Sequence, residues 1–396
     1  MMQISPETQL FIREHSSDDV RVLALQAKKY PDIDMPTAIT QIAGRKVAAE
    51  KIPSWWEIEK IWYPKHLSLE QCSSEITARY KARLLQGDSL TDLTGGFGID
   101  CSFLATGFKS ATYVERQEEL CEIAAHNFPV LNLNHINIKN EDGVTYLQAM
   151  SPVDCLFLDP ARRNEHGRKT VAIYDCEPNV AELEELLLQK ANRVMIKLSP
   201  MLDLSLALKE LKQTQEVHIL SVNNECKELL ILLGQTSPTE ISIHCVNLST
   251  KGTQEEQHFV FTREQEQCSE CTYTDSLETY LYEPNASLLK AGAFRSIAAA
   301  YPVRKLHPNS HLYTSDTFIE NFPGRIFRIV NQCSFNKKEV KENLADLKKA
   351  NVTVRNFPAT VAELRKRIHL AEGGDTYLFA STLNNGQKVL IRCEKV

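Results

Sequence analysis

Nowhere does the chain hold a run of about 18 apolar residues, the length a membrane-spanning helix needs. Its first residues, MMQISPETQLFIREHSSDD, have neither a basic start nor an apolar stretch behind one. Membrane spanning and secretion are therefore not expected, and a cytoplasmic location is. HExxH, GxSxG and P-loop patterns are missing too, so nothing points to a zinc protease, a serine hydrolase or a P-loop nucleotide hydrolase. The 11 cysteines are an odd number scattered from Cys72 to Cys393, which fits buried thiols in a reducing compartment and not a disulfide framework. Cys268 and Cys271 have the CxxC spacing, but no second pair or His pair completes a tetrahedral set, so no metal is expected.

What is present is an ordinary globular composition, 43% hydrophobic and 24% charged, over 396 residues, more than one core usually serves, so two or three domains are expected. The net charge of −6 hides an asymmetry. Residues 285–396 hold 18 Lys and Arg against 9 Asp and Glu, leaving the rest of the chain acidic. A basic domain on an acidic body is the footprint of a polyanion partner, although basic helices also keep a small domain soluble.

The chain is organised around Ser89 to Asp100, SLTDLTGGFGID, which reads as a buried strand, a glycine turn and a helix. Gly95, Gly96 and Gly98 remove side chains where the backbone turns and a ligand approaches. A second strand, Ala111 to Val114, ends in Glu115, where an acidic group reaches ribose hydroxyls. Two ligand classes fit, a dinucleotide or S-adenosylmethionine. The G-x-G-x-x-G fingerprint is met at Gly96 and Gly98 but has Cys101 in third place.

Before this stretch, residues 1–80 read as helical: Asp18 and Asp19 cap a helix over Val20 to Tyr30, and Asp34 with Pro36 opens one that Pro53 ends. Ser54 to His66, SWWEIEKIWYPKH, concentrates all three tryptophans and suits either base stacking, with Trp62 as the candidate, or the packing of a helical lid. After it, strands and helices alternate as in a parallel sheet covered on both faces. The third strand is His135 to Lys139, followed by the polar loop of Asp142 and Gly143. The fourth, Val153 to Leu158, closes in Asp159-Pro160-Ala161-Arg162-Arg163, and the fifth, Val194 to Leu198, carries Lys197. Val217 to Val222 and Glu228 to Leu233 follow as a hairpin around NNECK. Ile241 to Thr262 alternates as two strands extending the sheet edge, with a polar loop or hairpin tip over Gln254 to Gln267. The last hundred residues contain a strand, Arg325 to Val330, a basic helix, Asn336 to Ala350, a strand, Val352 to Phe357, a helix, Thr360 to Leu370, with Arg365, Lys366 and Arg367, and a final hairpin around Asn385-Gly386.

Over roughly residues 85–235, within a domain expected to span 81–275, this order resembles the class I S-adenosylmethionine-dependent methyltransferases, whose seven-stranded Rossmann-like sheet ends in an antiparallel hairpin. The resemblance implies that Asp92, Thr94, Gly95, Gly96 and Gly98 surround the methionine part of the cofactor. Glu115 takes the ribose hydroxyls, and Asp142 with Gly143 stands beside the adenine amino group. Asp159-Pro160 matches the family's fourth motif, but Ala161 and Arg162 depart from the Pro and aromatic found in nitrogen-directed enzymes. Together with YEPNASLLKAGAF from Tyr282, the C-terminal region resembles a bacterial methyltransferase family with a ferredoxin-like segment, here 276–322, and a small α/β THUMP-like domain, here 323–396.

Methyl transfer from a sulfonium is an in-line displacement, so positioning and desolvation suffice and neither metal nor covalent nucleophile is required. Asp159, Pro160 and Arg162 are the candidate catalytic group, Asp159 to orient an acceptor amino group or serve as a loop cap. Arg162 and Arg163 suit a substrate phosphate or a surface ion pair, and Lys197 lines the crevice or snorkels. THUMP domains belong to RNA-modifying enzymes, so the expected function is methylation of a tRNA or rRNA base, with Arg365, Lys366 and Arg367 among the residues binding RNA. A methyltransferase of a protein or small molecule, and a non-catalytic RNA-binding module that holds the cofactor, are the alternatives. The terminal hairpin and missing third glycine argue against a dinucleotide oxidoreductase.

Overall fold

The structure, a computed structural model, describes residues 4–162, 172–236, 238–250 and 256–396. The chain divides into two compact units, Met1–Gln215 with Leu230–Thr239, and Glu216–Leu229 with Glu240–Val396. No helix among the described residues is long and apolar enough to cross a membrane.

In the first unit the N-terminal helices start where side-chain caps satisfy their free N–H groups. Asp19 caps Val20–Leu25 and Asp34 caps Met35–Lys51, with Pro36 in its first turn. The helix expected to reach Tyr30 stops at Leu25 and gives way to a tight turn over Ala27–Lys29. Phe11, Leu23, Met35, Ala38 and Ile42 form one buried cluster. Ile52, Trp55, Ile61 and Tyr63 form another with Phe97 and Ile99 of the glycine turn and the helix behind it. In the tryptophan-rich stretch Trp55 serves packing, buried edge-on against Phe97 with centroids 5.2 Å apart, while Trp56 is exposed. Trp62 stacks on His126 at 3.7 Å, and its backbone is clamped by the Asn127 amide.

Five strands of this unit, β1 (Ser89–Asp92), β2 (Ser110–Glu115), β3 (Ile136–Asn140), β4 (Val153–Leu158) and β5 (Ala191–Leu198), pair in parallel. Leu90 lies beside Ala111 on one side and Cys155 on the other, and Leu156 beside Val194. β6 (Thr214–Val222) and β7 (Glu225–Gly234) follow as a hairpin, the NNECK turn reduced to Asn223 and Asn224, both at positive φ, the backbone of a two-residue hairpin turn. With β8 (Ser242–Leu248) and β9 (Glu256–Thr262) the strand order is β9-β8-β6-β7-β5-β4-β1-β2-β3. The order reverses between β1 and β4, so a crevice opens at their carboxyl ends. The edge extension by β8 and β9 is as expected. Of the polar loop expected over Gln254 to Gln267, the first two residues lie outside the described ones, and the rest is β9 and a helix, Arg263–Cys268, where Thr262 and Gln265 close a capping box.

The second unit carries a sheet of its own. β10 (Tyr280–Pro284), β11 (Tyr313–Ser315), β12 (Gly324–Ser334), β13 (Lys349–Val354), β14 (Ala371–Thr382) and β15 (Lys388–Lys395) stand, after the short strand Arg304–Lys305, in the order β11-β10-β12-β15-β14-β13. The motif YEPNASLLKAGAF is a strand end, an N-cap at Asn285, a helix over Ala286–Ala291 and a left-handed C-cap at Gly292. The basic helix expected to Ala350 ends at Leu344, and β13 begins already at Lys349, three residues ahead of the strand expected from Val352. Leu344 of that helix and Leu364 of Val361–Ile368 enter one cluster with Ala350, Leu378 and Leu390. Their exposed lysines therefore share one side of the sheet.

Candidate functional site

The site lies in the first unit, where β1 and β4 part. Thr94 fixes the turn from both sides: its N–H donates to Asp92 Oδ1 (3.0 Å), and its hydroxyl accepts from the Asp159 N–H (2.6 Å). Each glycine does something different there. A Cβ on Gly95 would sit 2.2 Å from the Tyr113 ring, and one on Gly143 2.2 Å from the Leu93 carbonyl oxygen. Gly98 caps the following helix at φ +86°. Those three serve the packing of the turn. Gly96 faces space: among the described residues a Cβ there would meet only the Thr94 carbonyl oxygen, at 3.8 Å, and its φ of +54° suits glycine. Its N–H donates to Glu115 Oε2 (2.9 Å), while Glu115 Oε1 accepts from the Gln117 N–H (2.8 Å).

Asp92 is 1% exposed, and its Oδ2 has no hydrogen-bond partner among the described residues. Burial pushes its carboxyl up to about 8 against the opposing Thr94 N–H, with Asp100 and Asp159 adding to the rise. At neutral pH Asp92 is thus largely a protonated acid. A buried polar oxygen left unpaired is costly, and beside an open glycine it marks a place for a donor or cation from outside the chain. Asp142 is otherwise engaged: its Oδ1 accepts from the N–H groups of Val144 and Thr145 and caps the helix Gly143–Ala149.

Behind Asp159 stands a buried ionic network. Lys197 Nζ is 2.6 Å from Asp159 Oδ2, 3.1 Å from Asp100 Oδ2 and 3.0 Å from the Ser73 hydroxyl. Lys81, with its side chain wholly buried, pairs with Asp100 at 3.0 Å and donates to Ser73 (2.9 Å), and Ser73 donates to Asp100 (2.7 Å). Burial alone would raise the Asp100 carboxyl. The two ammoniums and Ser73 override it and hold Asp100 well below the usual carboxylate range. Asp159 moves the other way, burial, with the Asp100 charge beside it, outweighing Lys197 and the more weakly acting Lys81. With Asp92 protonated, two lysines balance two carboxylates, the condition under which a buried cluster is tolerable.

Lys197 is therefore neither snorkelling nor exposed. Sequence reasoning missed its partners Lys81, Asp100 and Ser73; a charged residue inside an apolar helix, IDCSFLA, was the available signal at Asp100. Pro160 is buried, and Ala161–Arg162 pairs with Cys176–Glu177 as a two-stranded ribbon. Arg163 lies outside the described residues. In the second unit Arg365 donates to the Ala350 carbonyl (3.1 Å) and Arg367 stacks over Phe335 at 4.0 Å, so both help to hold the helix Val361–Ile368, while Lys366 is exposed.

Family models agree with this layout: a ferredoxin-like domain matches residues 280–323 and a THUMP domain-like model residues 324–395. No curated protein matches the chain. Among solved structures, a "putative methyltransferase" from Porphyromonas gingivalis W83 is 34% identical, with a TM-score of 0.87 and coverage of 100% of both chains. The chain belongs to that family. This chain joins a largely parallel sheet to a C-terminal THUMP-like domain. SMU.1697c from Streptococcus mutans, solved with S-adenosylhomocysteine, is 14% identical over 40% of this chain and 96% of its own, at a TM-score of 0.30. An rRNA methylase from Streptococcus thermophilus is 14% identical over 40% of this chain and 93% of its own, at a TM-score of 0.29.

Proposed function

We propose that this family member is an S-adenosylmethionine-dependent methyltransferase acting on RNA. The observation that carries the reading is the unpaired Asp92 Oδ2 next to the open face of Gly96, with Asp159 held one strand away by Thr94. An acid oxygen lacking a partner, a backbone bare of side chain and the Glu115 carboxylate suit a ligand with an ammonium and ribose hydroxyls. They suit it better than a pyrophosphate, which would face the Glu115 carboxylate bonded to the Gly96 N–H. The cofactor supplies an electrophilic methyl group when bound.

The chain's own part is positioning and control of charge. Asp92, Gly96 and Glu115 bind. Lys197 fixes Asp159 through Oδ2 and leaves Oδ1 to accept a hydrogen bond from an acceptor amino group, orienting its lone pair. Arg162, with the neighbouring Arg163, is placed by sequence to grip a phosphate of the substrate. The exposed Lys337, Lys338, Lys341 and Lys366 on two helices of the THUMP-like domain give it a cationic face for a phosphate backbone.

Calorimetric titration with S-adenosylmethionine, S-adenosylhomocysteine, NAD and NADP tests the ligand class. Micromolar binding of the first two, lost in a folded Gly96→Val, is the expected result. Binding of NAD alone overturns the reading. Transfer of label from the methyl group to bulk RNA, but not to protein or small amines, tests the acceptor class.

A further inference from the structure

Three strands of the second unit carry a row of histidines that the proposed chemistry does not use. His244 of β8 lies in register with His218 of β6, Ser242 in register with Glu216, and Val246 opposite His258 of β9. Side chains alternate across a strand, so positions 216, 218, 244 and 258 share one face.

The geometry is that of ligands lacking only an ion. Glu216 Oε2 and His218 Nε2 are 3.2 Å apart. Two donors on a tetrahedral zinc ion, with bonds of about 2.0–2.1 Å, stand about 3.4 Å apart. The rings of His218 and His244 stack at 4.3 Å, and donor atoms of Glu216, His218 and His244 all lie within 4.8 Å of one another. We propose that Glu216, His218 and His244 form a zinc site that pins β6 to β8. Two imidazoles and a carboxylate are the borderline nitrogen and oxygen donors this ion takes, and water fills the fourth position.

His244 now bonds at both ring nitrogens, to Ser242 Oγ (3.1 Å) and to His258. A metal at Nε2 replaces the Ser242 contact and leaves Nδ1 bonded to His258, which orients the ring, so His258 is a positioning residue. His218 is 2% exposed and held in place by its surroundings.

The test uses the full chain and zinc chloride alone, with cobalt chloride as a spectroscopic probe. One equivalent of zinc binds, raises the melting temperature, and is replaced by cobalt with the strong visible absorption of a tetrahedral ion. His244→Ala and Glu216→Gln weaken zinc binding by at least about 100-fold and His258→Ala by about 10-fold, the range seen for outer partners. Glu216 is partly exposed, so its variant keeps the test open if His244→Ala does not fold. Cys268→Ser with Cys271→Ser leaves the stoichiometry at one. Absence of binding, binding unchanged in both ligand variants, or binding lost with the cysteines overturns the proposal.

Discussion

Asp92→Asn should make the ligand-free protein more stable at neutral pH while it abolishes cofactor binding. The wild-type acid titrates at about 8 in the folded chain against 3.8 when unfolded. Well below pH 3.8 both states are protonated and the site costs nothing. As pH rises toward 8 the unfolded chain gives up its proton while the folded chain keeps it, so stability falls with pH. At about 1.4 kcal/mol per unit, the loss at pH 7 reaches about 4 kcal/mol. Asparagine keeps the Oδ1 that accepts the Thr94 N–H and does not titrate. All three tryptophans lie between Trp55 and Trp62, in the first unit, so their fluorescence during urea unfolding reports the unit that holds Asp92. The difference between variant and wild type should be small at pH 5, large at pH 8, and absent when the second unit is followed. A constant difference across that range, or a variant less stable at pH 8, would refute a protonated Asp92.

Lys197→Met strands Asp100 and Asp159 without their shared ammonium. It should cost about 3–5 kcal/mol by tryptophan fluorescence and shift the acid limb of the activity profile upward, since loss of the cation raises Asp159 further. Gly143→Ala drives a methyl group to 2.2 Å from a backbone carbonyl and should destabilise the first unit by about 1–3 kcal/mol, read by the same unfolding curves. Gly386→Ala, at φ +86° with none of the described residues within 4 Å, should cost only about 1–2 kcal/mol. Replacing Lys337, Lys338, Lys341 and Lys366 by alanine should lower RNA affinity at low salt. The log–log slope of affinity against salt should flatten by about 0.7 for each phosphate that is no longer neutralised. An unchanged slope in a filter-binding titration would remove the THUMP-like domain from the RNA interface.

Much of the fold was already legible in local sequence. A strand, a glycine turn and a helix have a periodicity and a backbone requirement that residues 89–105 announce by themselves, and Asn223-Asn224 and Asn385-Gly386 mark their hairpins the same way. Caps at Asp19, Asp34 and Asn285 are equally local. The aromatic stretch was ambiguous, because a tryptophan that stacks a base and one that packs on Phe97 are the same in sequence. Element ends drifted where tertiary pairing decided them, as at β13, whose partner β14 recruits Lys349 ahead of the basic helix's natural end. Tertiary structure alone determined which charges meet. Ser73 and Lys81 on one side and Asp100, Asp159 and Lys197 on the other are far apart in the chain and converge only because parallel strands and the helices beside them bring their ends to one crevice. The row of Glu216, His218, His244 and His258 likewise exists only through strand register. Periodicity and turns are set by sequence because they depend on neighbours a few residues away. Charge networks depend on distance through space, which only the folded chain sets.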